Sequence, residues 1–88
     1  MNRLYEVVYE PAASRQIKKL GANRERIQRA IDALATDPRP PGCQKLQSHA
    51  YRIRVGDWRV IYVVLDSPEY VVITSKVALR NEQTYREY

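Results

Sequence analysis

The chain of 88 residues predicts a small α+β domain: an N-terminal strand, a helical hairpin, then a three-stranded antiparallel meander, with the helices packed on one face of the sheet. Three observations predict it. Runs rich in β-branched and aromatic residues lie near both ends. Between them stand two stretches whose apolar residues recur at helical spacing. Two alternating runs are joined by only Gly56-Asp57, the signature of a β-hairpin.

Leu4 to Tyr9 reads as the first strand. Pro11 stops it and suits the opening turn of a helix, since its missing N–H would have no helical partner there. Ala13, Ile17 and Leu20 then form one apolar stripe, and Gly21 is placed to cap that helix. Asn23 is a plausible N-cap for a second helix, with its stripe at Ile27, Ala30, Ile31 and Leu34. Arg24, Glu25, Gln28 and Asp32 make up its polar face. So short a connection makes the two helices fold back on each other. Asp37 to Gly42 contains three prolines and reads as a stiff loop. Tyr51–Val55 and Trp58–Leu65 are the hairpin strands. Asp66 to Glu69 turns the chain into a last strand, Tyr70–Val77, apolar on both faces as an interior strand should be. The tail from Arg80 to Tyr88 is polar and is expected to form a helical turn or two. No repeat or linker divides the chain, so residues 1–88 are read as a single domain.

Composition narrows the class. Hydrophobic residues are 44% and charged residues 28%, an ordinary globular balance that excludes disorder. No apolar stretch is long enough to cross a bilayer, and the first residues do not resemble a leader, so a cytoplasmic protein without membrane contact is expected. Cys43, the single cysteine, forms no internal disulfide and no zinc cluster. Paired histidines and clustered carboxylates are also missing, and no glycine-rich phosphate loop is present, so no metal or other cofactor is expected. Lys and Arg total 15 against 10 acidic residues, and 11 of the 15 are Arg, the residue suited to forked phosphate contacts. The net charge of +5 favours a polyanion partner.

The hairpin carries the chemistry. A two-residue loop with Gly first suits a type II′ turn. Val55 then faces Trp58, Arg54 faces Arg59, Ile53 faces Val60 and Arg52 faces Ile61. Because strand side chains alternate, Tyr51, Ile53, Val55, Trp58, Val60 and Tyr62 share the face toward the helices. Arg52, Arg54 and Arg59 share the other. Like charges directly opposed destabilise a sheet. Such a patch either spreads its guanidiniums into solvent or holds an anion such as a phosphodiester.

The run Tyr51-Arg52-Ile53-Arg54-Val55-Gly56-Asp57-Trp58-Arg59-Val60-Ile61-Tyr62 resembles the signature hairpin of the RelE/ParE toxin superfamily. Leu34 through Pro38, Pro41-Gly42 and Lys45-Leu46 resemble that family's second-helix exit and following loop. Val77 through Glu82 with Tyr85 resembles its C-terminal segment. The resemblance spans nearly the whole chain. It implies the stable half of a type II toxin–antitoxin pair. RelE-like members cleave mRNA in the ribosomal A site, whereas ParE-like members inhibit DNA gyrase. The RelE-like branch is preferred here because its basic cluster and C-terminal aromatic fall on Arg52, Arg54, Arg59, Arg80 and Tyr85. The expected partners are a cognate antitoxin and mRNA on the ribosome.

Metal-independent RNA cleavage uses the 2′-OH as nucleophile. It requires a proton acceptor, a proton donor and cations for the charge that builds on phosphorus. Arg serves as the clamp but is a poor acid or base. Family members commonly carry Lys where this chain has Arg52 and Arg54, so a lysine acid or base is lost there. Tyr85 is the expected proton carrier if neighbouring Arg lowers its pKa; otherwise it pins the tail to the core. His49 is either a second acid or base or a solvated loop residue. Lys45, His49 and Lys76 are expected RNA contacts. Trp58 and Tyr51 can stack bases, but their inward phase favours core packing. A non-catalytic RNA-binding module is the remaining alternative.

Overall fold

The computed structural model describes residues 4–80. Strand β1 (Glu6–Tyr9) runs into helix α1 (Pro11–Lys18), then a short 3-10 turn and helix α2 (Arg24–Asp32), which ends in a second 3-10 turn over Ala33–Ala35. Four strands follow: β2 (Gln44–Gln47), β3 (Ala50–Val55), β4 (Trp58–Leu65) and β5 (Val71–Leu79). They form one five-stranded sheet in the order β1-β5-β4-β3-β2. The predicted fold class holds, and two features go beyond the expectation. The meander has four strands rather than three, because Gln44–Gln47 pairs with β3. Its alternation is too weak to mark it as a strand in the sequence. The first strand also pairs parallel to the last, which makes β5 an interior strand and explains why it is apolar on both faces.

Pro11 opens α1 as expected. Asn23 does not act as an N-cap: its backbone is helical and its side chain makes no capping bond. Instead its Oδ1 accepts a hydrogen bond from Arg26 Nη2 at 3.3 Å. The chain enters α2 through a 3-10 turn, so the extended conformation that an N-cap needs is never reached.

Both helices lie on one side of the sheet. Ile17 and Leu20 of the first stripe, and Ile27, Ile31 and Leu34 of the second, interlock with Tyr51, Ile53, Val60, Tyr62, Val64, Val72 and Val77. Burying each large apolar side chain stabilises the fold by about 1.5–3 kcal/mol. Tyr62 is the largest fully buried side chain. It stacks on Tyr51 with ring centroids 6.0 Å apart, and its hydroxyl donates to the Pro38 carbonyl at 2.8 Å. That bond fastens the proline loop to the sheet. Burial, followed by the adjacent Cys43, pushes the Tyr62 hydroxyl pKa well up, so it stays protonated and keeps donating.

Strand β5 changes phase midway. Ile61 pairs with Lys76, but Tyr62 pairs with Thr74, leaving Ser75 as the extra residue of a bulge. Val72 and Thr74 face the helices before it, and Val77 after it.

Replacing Tyr62 with Phe leaves the buried Pro38 carbonyl without its donor. The expected loss is about 1–3 kcal/mol, read as a lowered urea midpoint with an unchanged slope.

Candidate nucleic-acid interface

The hairpin register is the expected one: Val55–Trp58, Arg54–Arg59, Ile53–Val60 and Arg52–Ile61 are cross-strand pairs. Gly56 takes φ +60 and Asp57 is not among the positive-φ residues, the combination of a type II′ turn. Gly56 is further required by its surroundings, since a Cβ there would stand 2.7 Å from Arg26 Nη2. The guanidinium of Arg26 thus packs against the turn.

This register lays the cations out in two rows on the sheet face away from the helices. Arg54 and Arg59 are direct neighbours across strands, and Ala78 of β5 extends that row. The second row runs Gln44, Arg52, Ile61, Lys76 across β2 to β5. Arg52 donates to Gln44 Oε1, which steadies its head group. Lys76 reaches this face because of the Ser75 bulge; strict alternation from Val72 and Thr74 would turn it toward the helices. Arg80 joins at the hairpin tip, where its backbone N–H donates to the Asp57 carbonyl at 2.7 Å.

The field among these groups is strong. Burial is the first cause lowering the Arg59 pKa, followed by repulsion from Arg54 and Arg80. Arg52 is lowered by burial and then by Arg59 and Arg54. The four predicted arginines therefore act on one another as a single cluster. Arg59 is only 6% exposed, with Ile61 and Ala78 buried beside it. A guanidinium does not discharge at physiological pH, so a desolvated one attracts anions strongly. Arg54 is exposed and has no carboxylate partner among the described residues.

Other expected site residues fall elsewhere. Lys45 pairs with Tyr51, which faces the helices, so it lies on the opposite face from the arginines. His49 is exposed in the β2–β3 turn, at the far end of β3 from Gly56. Neither joins the cluster. Tyr51 is buried in the core, and Trp58 is half-buried against it. Tyr85 lies outside the described residues, as does the helical turn expected there.

One constellation was invisible in the sequence. Arg39 of the proline loop donates to both Asp66 carboxylate oxygens, at 3.3 and 2.7 Å. Its Nε donates to the Tyr51 hydroxyl at 2.9 Å, and its guanidinium lies 5.2 Å from the Tyr51 ring centroid. Tyr5 donates to Asp66 Oδ1 at 2.5 Å. Partners 27 and 61 residues apart in the chain give no local signal. Arg39 and then Tyr5 hold the Asp66 carboxyl below its ordinary pKa. The network braces the end of the sheet opposite the arginine cluster.

The fold is thus a two-helix layer on one face of a five-stranded sheet whose other face is basic. The family model for the ParE toxin of the type II toxin–antitoxin system parDE matches residues 7–82. The chain belongs to this family of type II toxins, within the RelE/ParE superfamily. Solved structures agree on the fold. The archaeal RelE–RelB complex from Pyrococcus horikoshii OT3 is similar at 28% identity and a TM-score of 0.78, over 90% of this chain and 98% of that one. A mutant of the E. coli toxin RelE in the free state is similar at 20% identity and TM-score 0.79, over 96% and 92%. The intact E. coli RelBE toxin–antitoxin complex matches at 23% identity and TM-score 0.67, over 84% and 99%. No curated protein matches the chain.

Two outcomes check this geometry. Gly56→Ala places a side chain in the left-handed region and displaces Arg26, for an expected loss of about 1–2 kcal/mol in thermal or urea unfolding. Asp66 has a depressed folded pKa, so its contribution to stability is present above the unfolded carboxylate value and disappears as pH falls through the folded one. Asp66→Asn should flatten that part of the acid stability profile; a profile identical to the parent's would show that the Arg39 contact contributes nothing.

Proposed function

We propose that the protein is a ribosome-dependent endonuclease that cuts mRNA in the A site and so arrests translation. The observation that carries this reading is the convergence of Arg52, Arg54, Arg59 and Arg80, with Lys76, on one sheet face. The similarity to RelE structures supports it.

The chemistry follows from the residue types. The cluster receives one phosphodiester, with Arg54 and Arg59 on its non-bridging oxygens and Arg52 and Lys76 on the flanking backbone. A base removes the proton from the 2′-OH, the O2′–P bond forms, and the P–O5′ bond breaks. The departing 5′ oxygen takes up a proton. Negative charge grows on phosphorus oxygens during this passage, and fixed guanidiniums stabilise it more than they stabilise the ground state. Tyr85 remains the proton carrier assigned from sequence. The A-site codon would supply the strand in an open conformation.

A second reading has its own support, because the matching family model describes a ParE toxin. In that case the same cations would bind DNA gyrase and nothing would be cut. Primer extension on a translated message separates the two. Cuts within ribosome-occupied codons are expected with purified toxin and ribosomes, and none on the same message without ribosomes. Intact message with trapped gyrase–DNA adducts would overturn the nuclease reading. Arg59→Ala should lower the cleavage rate about 10²–10³-fold while leaving antitoxin binding measurable.

A further inference from the structure

A second polar site lies on the other side of the molecule, between the helices and the sheet edge. A cavity of about 110 Å³ is lined by Tyr9, Ser14, Ile17, Lys18, Arg24 and Gln28. Ile17 is buried at its base, Tyr9, Ser14 and Gln28 are half-buried, and Lys18 and Arg24 are exposed. Neither cation forms an ion pair among the described residues. Gln28 is tied down by its bonds to the Tyr9 hydroxyl and to Asp32 Oδ1, the latter at 3.1 Å. Two uncommitted cations over a floor of hydroxyl and amide groups make a receptor for one anionic head group.

The surroundings say what kind of anion. The cup opens onto a groove along α2 whose lining includes Glu25, Arg29 and Asp32. The two carboxylates of that groove, Glu25 and Asp32, disfavour a polyphosphate strand, whose charges repeat along its whole length. A peptide of mixed sequence with one carboxylate at the right place meets no such repulsion. Tyr9 also ends β1, the edge strand of the sheet. Glu6 and Glu10 direct their N–H groups to β5, so by alternation Val7 and Tyr9 direct theirs off the sheet. An extended peptide can pair with that edge beside the cup.

We propose that the cup formed by Lys18, Arg24, Ser14 and the Tyr9–Gln28 pair receives an Asp or Glu side chain from an extended segment of the antitoxin lying along the free edge of β1. This rests on membership of the toxin–antitoxin family and not on the nuclease reading. The basic sheet face and the helix-side cup then serve different partners, nucleic acid on one and protein on the other.

The test uses the full-length toxin and its cognate antitoxin, co-expressed, separated and titrated by calorimetry. The charge reversal Lys18→Glu with Arg24→Glu should raise the Kd by about tenfold or more. The charge-conserving pair Lys18→Arg with Arg24→Lys should stay close to the parent. Circular dichroism melts establish that each variant is folded, without recourse to activity. An antitoxin with a single acidic residue changed to Lys should restore affinity to the reversed toxin and to no other. Amides of Val7 and Tyr9 should gain protection from hydrogen exchange in the complex. An unchanged Kd on reversal overturns the proposal. So does a loss that no acidic-to-Lys antitoxin variant restores, or a matching loss of oligouridylate binding, which would make the cup an RNA contact.

Discussion

The two-residue turn at Gly56-Asp57 sets everything that follows on the sheet. A strand alternates its side chains with a period of two, so a slip of β3 by one residue against β4 would carry Arg52 and Arg54 into the helix layer, away from Arg59, and Ile53 out to water. The turn prevents this because φ +60 at its first position is available to Gly at little cost. Arg26 of α2 lies against that same residue, so the helix layer is in contact with the element that fixes the register. The core and the basic face are consequences of one pairing scheme. A change that frees the register loses both.

The cationic face is assembled from strands, not from a loop. Arg54 and Arg59 are held across a ladder, Gln44 steadies Arg52, and the β5 bulge delivers Lys76. Such an arrangement keeps like charges close at a standing electrostatic cost. Burial makes that cost larger for Arg59 than for a solvated arginine. Rigid placement is what phosphate recognition requires, because little side-chain entropy is then lost on binding. The opposite end of the sheet is secured by different means, with Arg39 and Tyr5 converging on Asp66 and Tyr62 holding the proline loop. The two ends of the sheet are therefore built differently: one is cross-linked by Arg39, Tyr5 and Asp66, while the other gathers like charges on one face.

Family membership places an antitoxin beside this chain, and the two faces of the molecule offer it different chemistry. The sheet face carries cations on three strands. The helix side carries mixed charge, a small polar cup and a strand edge. The residues that line the cup and those of the basic sheet face do not overlap.

Much of this was legible in the sequence, and the reason is locality. Turn chemistry, the period-two alternation from Tyr51 to Tyr62 and the helical stripe from Ile27 to Leu34 are all short-range, so they determined the class of fold, the hairpin register and the shared face of three arginines. The resemblance carried by those same residues pointed to the family. The tertiary structure alone decided the rest. The parallel pairing of β1 with β5 depends on a crossover spanning most of the chain. The strand Gln44–Gln47 is defined by its neighbour more than by its own weak pattern. The Ser75 bulge re-aims Lys76 although nothing in the local composition marks it, while Lys45 and His49, near the arginines in sequence, are carried away by the pairing register and the turn. The union of Arg39, Asp66 and Tyr5, and the cup between Lys18 and Arg24, exist only once distant segments are brought together by packing. Local periodicity specifies which side of an element a residue occupies; which residues then meet depends on how the elements dock.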